Sequence, residues 1–376
     1  MRWLAFGTYD RTRHPRVGVL LDGLRASGDE VIEVNEPLRL ATASRIAMLR
    51  QPWRLPILTA KLLRCWAVLA WRAREVRQDP PDAVLVGYLG HFDVRLARRL
   101  FGQTPVVLDH LISAAGTAHD RGLAGAGGIK GRLMRAIDGA ALGDADVVVV
   151  DTYEHQAALP ATAANKGVLA PVGATEEWFD IGRAKRPRAP DDPLRVIFVG
   201  VFTPLHGTRT LGEALADLAD DDIDVTMVGT GQDYAACRKA AAGNRRITWL
   251  DWVPGTELPL VVGAHDVCLG IFGTGRKALD VVPTKVYQGA AAGCAIVTSD
   301  TPPQRAALAD AALFVPPGDA KALAAALRAL AADRSEVSYL GAAAYTHAVA
   351  HYTPASVVRR LRAVMGQADG SRYPGP

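Results

Sequence analysis

At 376 residues, 49% hydrophobic and 22% charged, the chain has the make-up of an ordinary soluble globular protein, with room for two to three domains. Its four cysteines, Cys65, Cys237, Cys268 and Cys294, lie far apart in no CxxC or Cys/His ligand pattern, which argues against a zinc module and a disulfide framework. The net charge of +4 is unevenly spread: Arg39 to Arg77 holds nine basic residues against Glu75 alone, so the rest of the chain is acidic.

The first residues, Met1-Arg-Trp-Leu-Ala-Phe-Gly, run into a strand without the apolar stretch and cleavage site of a signal peptide, so export is not expected. Trp3 to Phe6 reads as a strand entering the loop Gly7-Thr8-Tyr9-Asp10, Val17 to Ala26 as a helix, and Val31 to Val34 as a strand. The basic stretch follows. In it Ile57, Leu58, Leu62, Cys65, Trp66, Leu69 and Ala70 recur at helical spacing, with Lys61 and Arg64 one turn apart. A basic amphipathic helix with Trp53, Trp66 and Trp71 reads either as a surface for an anionic membrane or as a core-facing helix with solvated arginines. Lys61 and Arg64 rule out a spanning segment.

Ala83 to Val86, Val106 to Leu108 and Val147 to Val150 read as further strands, with helices at Val94 to Leu100 and near Glu154. Strands as apolar as Val147-Val-Val-Val are buried on both faces, which implies a parallel sheet covered by helices. Arg183 to Pro193 has three prolines and no large apolar residue and reads as a linker. The alternation then restarts with strands at 195–199, 225–228, 247–250, 267–269, 295–298 and 313–315, and a helix over the Ala-rich tract 320–332. The expected class is α/β, with two doubly wound Rossmann-like domains facing a cleft. The expected divisions are 1–182, a linker at 183–193, 194–350, and a terminal helix in 351–376 returning to the first domain.

Gly7, Gly200, Gly229 and Gly231 stand where strands meet loops, where a missing Cβ lets backbone N–H groups approach a phosphate. Gly229-Thr-Gly231 lacks the third glycine of a dinucleotide fingerprint, so a nicotinamide dehydrogenase fits poorly. In Arg276-Lys-Ala-Leu-Asp-Val-Val-Pro-Thr-Lys-Val-Tyr-Gln, Thr284 is placed to cap a helix that runs towards Gly293, with Lys285 in its first turn. A cation there opposes the helix dipole unless an anion binds, so Lys285 is either a diphosphate contact or an idle surface lysine. Lys277, in the preceding loop, can reach the same anion. Asp280 and Gln288 flank it.

This order of motifs resembles glycosyltransferase family 4, retaining enzymes of the GT-B fold that carry a Glu-x7-Glu pair beside a Gly-rich diphosphate site. The resemblance implies that Asp280 takes the place of the first glutamate, near the transferred sugar, and Gln288 that of the second, on the ribose. Gly200, Gly207, Gly229 to Gly231, Gly293 and Asp300 continue the match. Gly200-Val201 and His206-Gly207 stand where the family usually has Gly-Arg and Lys-Gly. Lys285 is then the natural replacement cation, and His206 either bonds a phosphate or packs.

On the acceptor side the candidates are Gly7, Thr8, Tyr9, His14, His91, Asp109, His110, Ser113, His119, Asp120 and Arg121, with Asp109 and His110 assigned with Asp280 to catalysis. The resemblance implies a sugar passed with retention from a nucleoside diphosphate, UDP or GDP, to a hydroxyl acceptor. No cofactor and no metal is expected, and no Asp-x-Asp occurs. The acceptor is a lipid-linked or other glycan precursor made at the inner face of the plasma membrane, or a soluble small molecule; nucleic acid is not expected. Two rivals stay open: a nucleotide-sugar 2-epimerase and a non-catalytic nucleotide-sugar-binding partner.

Overall fold

Short strands rich in Val, Ile, Leu and Phe alternate with helices, and the strands form two parallel six-stranded sheets. The structure is a computed structural model that describes residues 1–11, 14–38, 53, 55–88, 90–111, 113–116, 128–186, 188–189 and 191–370. His119, Asp120, Arg121 and the basic residues Arg39, Arg45, Arg50 and Arg54 lie outside the described residues. The chain divides into two units, Val172–Ser356 and the remainder.

The first unit contains β1 (Arg2–Gly7), α1 (Pro15–Ala26), β2 (Glu30–Asn35), α2 (Leu55–Val76), β3 (Ala83–Val86), α3 (Asp93–Leu100), β4 (Val106–Asp109), α4 (Ile129–Asp144), β5 (Val147–Val150), α5 (Tyr153–Ala157) and β6 (Gly167–Leu169). Strand order is β2-β1-β3-β4-β5-β6. Because β2 lies on one side of β1 and β3 on the other, the topology reverses between β1 and β3, where doubly wound sheets leave a crevice at their carboxyl ends. Every residue of β3, β4 and β5 is buried, as expected for strands covered on both faces. One face is covered by Leu69, Ala73 and Val76 of α2, Val94 and Ala97 of α3, and Ala141 and Leu142 of α4. The other packs on Leu20, Leu21 and Leu24 of α1 and on the end of the chain.

The second unit contains α6 (Glu176–Ala184), β7 (Leu194–Val199), α7 (Thr208–Asp217), β8 (Ile223–Val228), α8 (Tyr234–Ala240), β9 (Ile247–Leu250), α9 (Leu258–Gly263), β10 (Val267–Leu269), α10 (Arg276–Leu279), α11 (Thr284–Ala291), β11 (Ala295–Ser299), α12 (Pro302–Leu308), β12 (Leu313–Val315), α13 (Ala320–Ala332) and α14 (Arg334–His351). Its sheet runs β12-β11-β10-β7-β8-β9, so the reversal falls between β7 and β10.

Two boundaries differ from the sequence reading. The unit changes between Pro171 and Val172, ahead of the proline-rich stretch. Helix α6 joins the second unit because Trp178 and Phe179 are buried and Gly182 lies so close to Ala291 that a Cβ would meet its carbonyl oxygen at 2.1 Å. The last helix, α15 (Pro354–Gly370), starts in the second unit and continues into the first, where Val357, Val358, Leu361 and Met365 enter the core. Arg362 fastens it there, its Nε donating to Asp29 Oδ2 at 2.7 Å.

Candidate functional site

In the second unit, three loops meet backbone to backbone at the carboxyl edge around the β7/β10 reversal. A Cβ on Gly229, at φ 122°, would sit 2.0 Å from the carbonyl oxygen of Gly200. One on Gly231 would sit 2.3 Å from that of Phe202. Gly207, in the left-handed region at φ 62°, would bring its Cβ to 2.3 Å from the carbonyl carbon of Phe272. The glycines are required because no side chain fits where these loops cross. Phe272 N–H donates to His206 O at 3.1 Å, tying the β10 loop to the turn before α7. Gly207 is followed by Thr208, whose buried hydroxyl has no hydrogen-bond partner among the described residues.

Into this edge comes Lys285, from the first turn of α11. The side chain is buried, and Nζ has no hydrogen-bond partner among the described residues. It lies 3.5 Å from the centre of the Phe198 ring, on β7. A Cβ on Gly200 would meet Lys285 Nζ at 2.9 Å and His206 Nε2 at 3.4 Å, so the ammonium, the imidazole and the bare backbone of Gly200 converge. Burial drives the Lys285 pKa well below its ordinary value, opposed only by the nearby Cys268 thiol. Burial also lowers the His206 pKa well below the usual value, with the Lys285 charge adding to it and a backbone hydrogen bond at Val201 opposing. His206 Nδ1 lies 3.2 Å from Thr203 Oγ1, leaving Nε2 turned to the Gly200 side. A desolvated ammonium facing a ring, a neutral imidazole and open backbone is a receptor for an anion.

The other residues singled out in this unit lie around that point. Thr284 is not the helix cap: Pro283, extended at φ −75° and ψ 149°, takes that position and Thr284 opens the helix. Gln288 is half-buried on the next turn of α11. Asp280 ends α10, its Oδ2 3.9 Å from Nε of exposed Arg276. Lys277 is half-buried on α10. Phe198, the ring beneath the ammonium, went unread because inside Val196-Ile197-Phe198-Val199 it looks like core, and it is both.

In the first unit a polar cluster gathers at the carboxyl ends of β3 and β4. His91 Nε2 lies 3.1 Å from Asp138 Oδ1, and its ring centre 5.4 Å from that of His110. Asp138 Oδ2 accepts from Ser113 Oγ at 2.7 Å and from Ala115 N–H, and Oδ1 from Ala114 N–H. Burial opposes ionisation of Asp138, but the bonds from His91, Ala115, Ala114 and Ser113 outweigh it and hold the pKa at about 2. His110 is buried with Nδ1 unpartnered among the described residues, and burial, with His91 adding to it, lowers its pKa to about 4. Asp138 had no sequence signal, since a lone carboxylate inside a helix reads as surface.

Two residues assigned to the acceptor side or to catalysis have other duties. Tyr9 is in the core, its ring against Gly87 and its hydroxyl donating to Glu33 Oε2 at 3.2 Å. Asp109 forms a buried pair with Arg16, whose Nε donates to Oδ1 at 2.7 Å. Burial raises its pKa despite that guanidinium. His14 packs against Tyr88 with ring centres 4.2 Å apart and planes tilted by 44°. Gly7, at φ 138°, and Thr8 are gripped by Asp93, whose Oδ2 accepts from both the N–H and the hydroxyl of Thr8 at 2.7 Å. Asp93 Oδ1 also accepts from Trp66 Nε1 at 2.8 Å, so Trp66 turns inward while Trp53 and Trp71 are 72% and 65% exposed. No described helix is long and apolar enough to cross a membrane. No group of three or more potential metal ligands occurs among the described residues.

Residues 193–333 match the model of the family Glycosyl transferases group 1. No curated protein matches the chain. Among solved structures, sucrose-phosphate synthase from Thermosynechococcus elongatus is similar over 98% of this chain and 99% of its own, at 15% identity and a TM-score of 0.70. Anabaena HepE in complex with UDP-glucose is similar over 98% and 100%, at 13% identity and a TM-score of 0.67. The UDP-forming α,α-trehalose-phosphate synthase from Burkholderia xenovorans, in complex with glucose-6-phosphate, is similar over 80% and 77%, at 13% identity and a TM-score of 0.58. Residues 193–333 are thus similar to the Glycosyl transferases group 1 family, and the chain as a whole carries the two-sheet GT-B fold.

Proposed function

We propose that the protein is a retaining, metal-independent glycosyltransferase that takes a sugar from a nucleoside diphosphate, UDP or GDP, and passes it to a hydroxyl of a lipid-linked or other glycan precursor. The observation that carries this reading is the buried Lys285 ammonium beside Gly200, unpartnered among the described residues. A diphosphate there supplies the counter-charge that burial leaves missing. The family match of residues 193–333 and the UDP-glucose held by a protein of the same fold support a nucleotide-sugar donor.

The chemistry is a problem of charge. As the bond from the anomeric carbon to the phosphate oxygen breaks, the sugar becomes oxocarbenium-like and the leaving diphosphate gains negative charge. Lys285 and the N–H groups at the start of α7 stabilise the diphosphate, and His206 orients it. The acceptor oxygen bonds to the anomeric carbon on the face the phosphate leaves, and its proton passes to the departing phosphate oxygen. His110, neutral near pH 7 because its pKa is held at about 4, bonds an acceptor hydroxyl as an uncharged group. Asp280 lies near the sugar, Gln288 on the ribose, and Thr284 and Lys277 beside the phosphates. On the acceptor side Thr8, His91 and Ser113 frame the hydroxyl, and the basic α2 supports a reading in which the protein works at the inner face of the plasma membrane.

The test is product analysis. Incubation with UDP- or GDP-sugars and a lipid-linked acceptor should release nucleoside diphosphate in the presence of EDTA and give a glycoside with the donor's anomeric configuration by NMR. An inverted product sinks retention, and loss of turnover in EDTA sinks metal independence. Asp280 and Gln288, in place of two glutamates, favour a second reading as a nucleotide-sugar-binding partner. Saturable nucleotide binding with no product from a broad acceptor panel would decide for it.

A further inference from the structure

Most exposed large hydrophobic side chains of the first unit lie in the first halves of helices or just before them, Trp71 and Val364 apart. Helices α2 and α4 are crossovers of a parallel sheet, so both begin at its carboxyl edge, and both cover the same face, with α3 between them. Helix α2, at 22 residues, is about 33 Å long, whereas β3, at four, is about 13 Å. Its buried residues begin only at Cys65, so the part from 56 to 64 overhangs the sheet. In α4 Gly131 is buried in the first turn, but the apolar core side chains begin only at Ala141, so the side chains of its first turns likewise extend past the core.

Both overhangs have the same chemistry. Ile57 and Leu63 are exposed on α2, Phe92 at the start of α3, and Ile129 and Leu133 on α4, the last two 78% and 56% exposed. Lys61 and Arg64 stand among them on α2, and Lys130 and Arg132 on α4, all four exposed. The sequence has no carboxylate from Pro37 to Arg74, nor in α4 before buried Asp138. An acceptor-side loop is tied to each helix: Trp66 reaches Thr8 through Asp93, and Asp138 holds the backbone of Ala114 and Ala115.

We infer that the starts of α2 and α4 form one membrane-docking face that seats on an anionic phospholipid bilayer, the isoleucines and leucines entering the headgroup boundary and the four cations meeting lipid phosphates. This rests on the membrane reading above and extends it to a second helix, which fixes the orientation of the unit on the bilayer where one helix would leave it free to roll. The occupant follows from charge: apolar groups ringed by cations with no carboxylate match an anionic surface, and a second copy would bring like charges together.

The experiment is co-sedimentation of the full chain with vesicles of phosphatidylcholine alone or mixed with phosphatidylglycerol. The wild type is expected to bind only the mixed vesicles. Lys61→Glu/Arg64→Glu and Lys130→Glu/Arg132→Glu should each weaken binding about 10-fold or more, since each cation near the surface adds about one kcal/mol. These residues are exposed, and unchanged circular dichroism checks the fold of each variant. Loss with the α2 pair but none with the α4 pair would overturn the two-helix face and leave the single-helix reading. No wild-type binding to mixed vesicles would overturn both. Light scattering that finds a dimer abolished by Ile129→Ser/Leu133→Ser would overturn the lipid assignment in favour of a second copy.

Discussion

The Lys285 ammonium lies 3.5 Å from the centre of the Phe198 ring and has no hydrogen-bond partner among the described residues. A cation over a ring face gains some electrostatic stabilisation, but far less than the water it gives up. A group held in that condition destabilises the fold, and under the proposed function an anion that arrives with the substrate offsets that cost.

Lys285→Met should therefore stabilise the ligand-free protein at neutral pH, by about 1–3 kcal/mol, the cost of a buried unsatisfied polar group. The sign with pH follows from the depressed folded pKa. Between the folded pKa and the higher unfolded one, the unfolded chain binds the extra proton, so the wild type gains stability as pH rises through that window. The melting temperature of the variant should exceed that of the wild type at pH 7, with the gap closing towards pH 10. A gap that widens with pH would contradict this.

Two glycines separate space for a ligand from space for the fold. The atoms nearest to a Cβ on Gly200 are the side-chain ends of Lys285, His206 and Phe198, none nearer than 2.9 Å and none of them backbone. Gly200→Ala should fold normally and lose nucleotide affinity by about 10-fold or more, because the methyl occupies the anion's approach. Gly207→Ala puts its Cβ into the backbone at Phe272 in a left-handed conformation. It should lose about 2–3 kcal/mol in denaturant melts. Equal stability losses in the two would refute this division.

His110 gives an acid-side signature. Burial holds its folded pKa at about 4, below the ordinary 6.5, so the unfolded chain binds its proton first as pH falls. Stability from this residue is full above pH 6.5 and is lost progressively down to about pH 4, a change of about 3 kcal/mol for such a shift. His110→Gln should flatten that limb of the stability profile while leaving the protein near wild-type stability at pH 5. An unchanged limb would mean that His110 is solvated and titrates normally.

Much of this fold is legible in the sequence because its strands are extreme. Val147-Val-Val-Val and Ala295-Ile-Val-Thr carry enough apolar β-branched character to fix a parallel sheet, and the glycines after β7 and β8 mark the carboxyl ends of those strands. The residues that escape notice act through tertiary partners. Asp138 is one carboxylate on α4 until the chain brings His91, Ser113 and two amides to it, and Trp66 is one of three tryptophans until Asp93 turns it inward. Strand β6 starts on glycine and has only Val168 and Leu169 to mark it, whereas the equally short β10 and β12 are apolar throughout. Thr284 has the chemistry of a cap, but Pro283 already has the extended backbone the position needs.

The most direct measurement is a calorimetric titration of UDP and GDP into the wild type and Lys285→Met, without metal and in buffers of differing ionisation enthalpy. A diphosphate beside Lys285 raises its depressed pKa again, so the wild type should bind one of the two nucleotides with proton uptake at pH values above the ligand-free pKa. The variant, folded and no less stable, should bind about 100-fold more weakly, as expected for a charge-assisted contact worth about 3 kcal/mol, and with no uptake. Equal affinity and equal proton exchange in wild type and variant would place the diphosphate elsewhere and contradict the account.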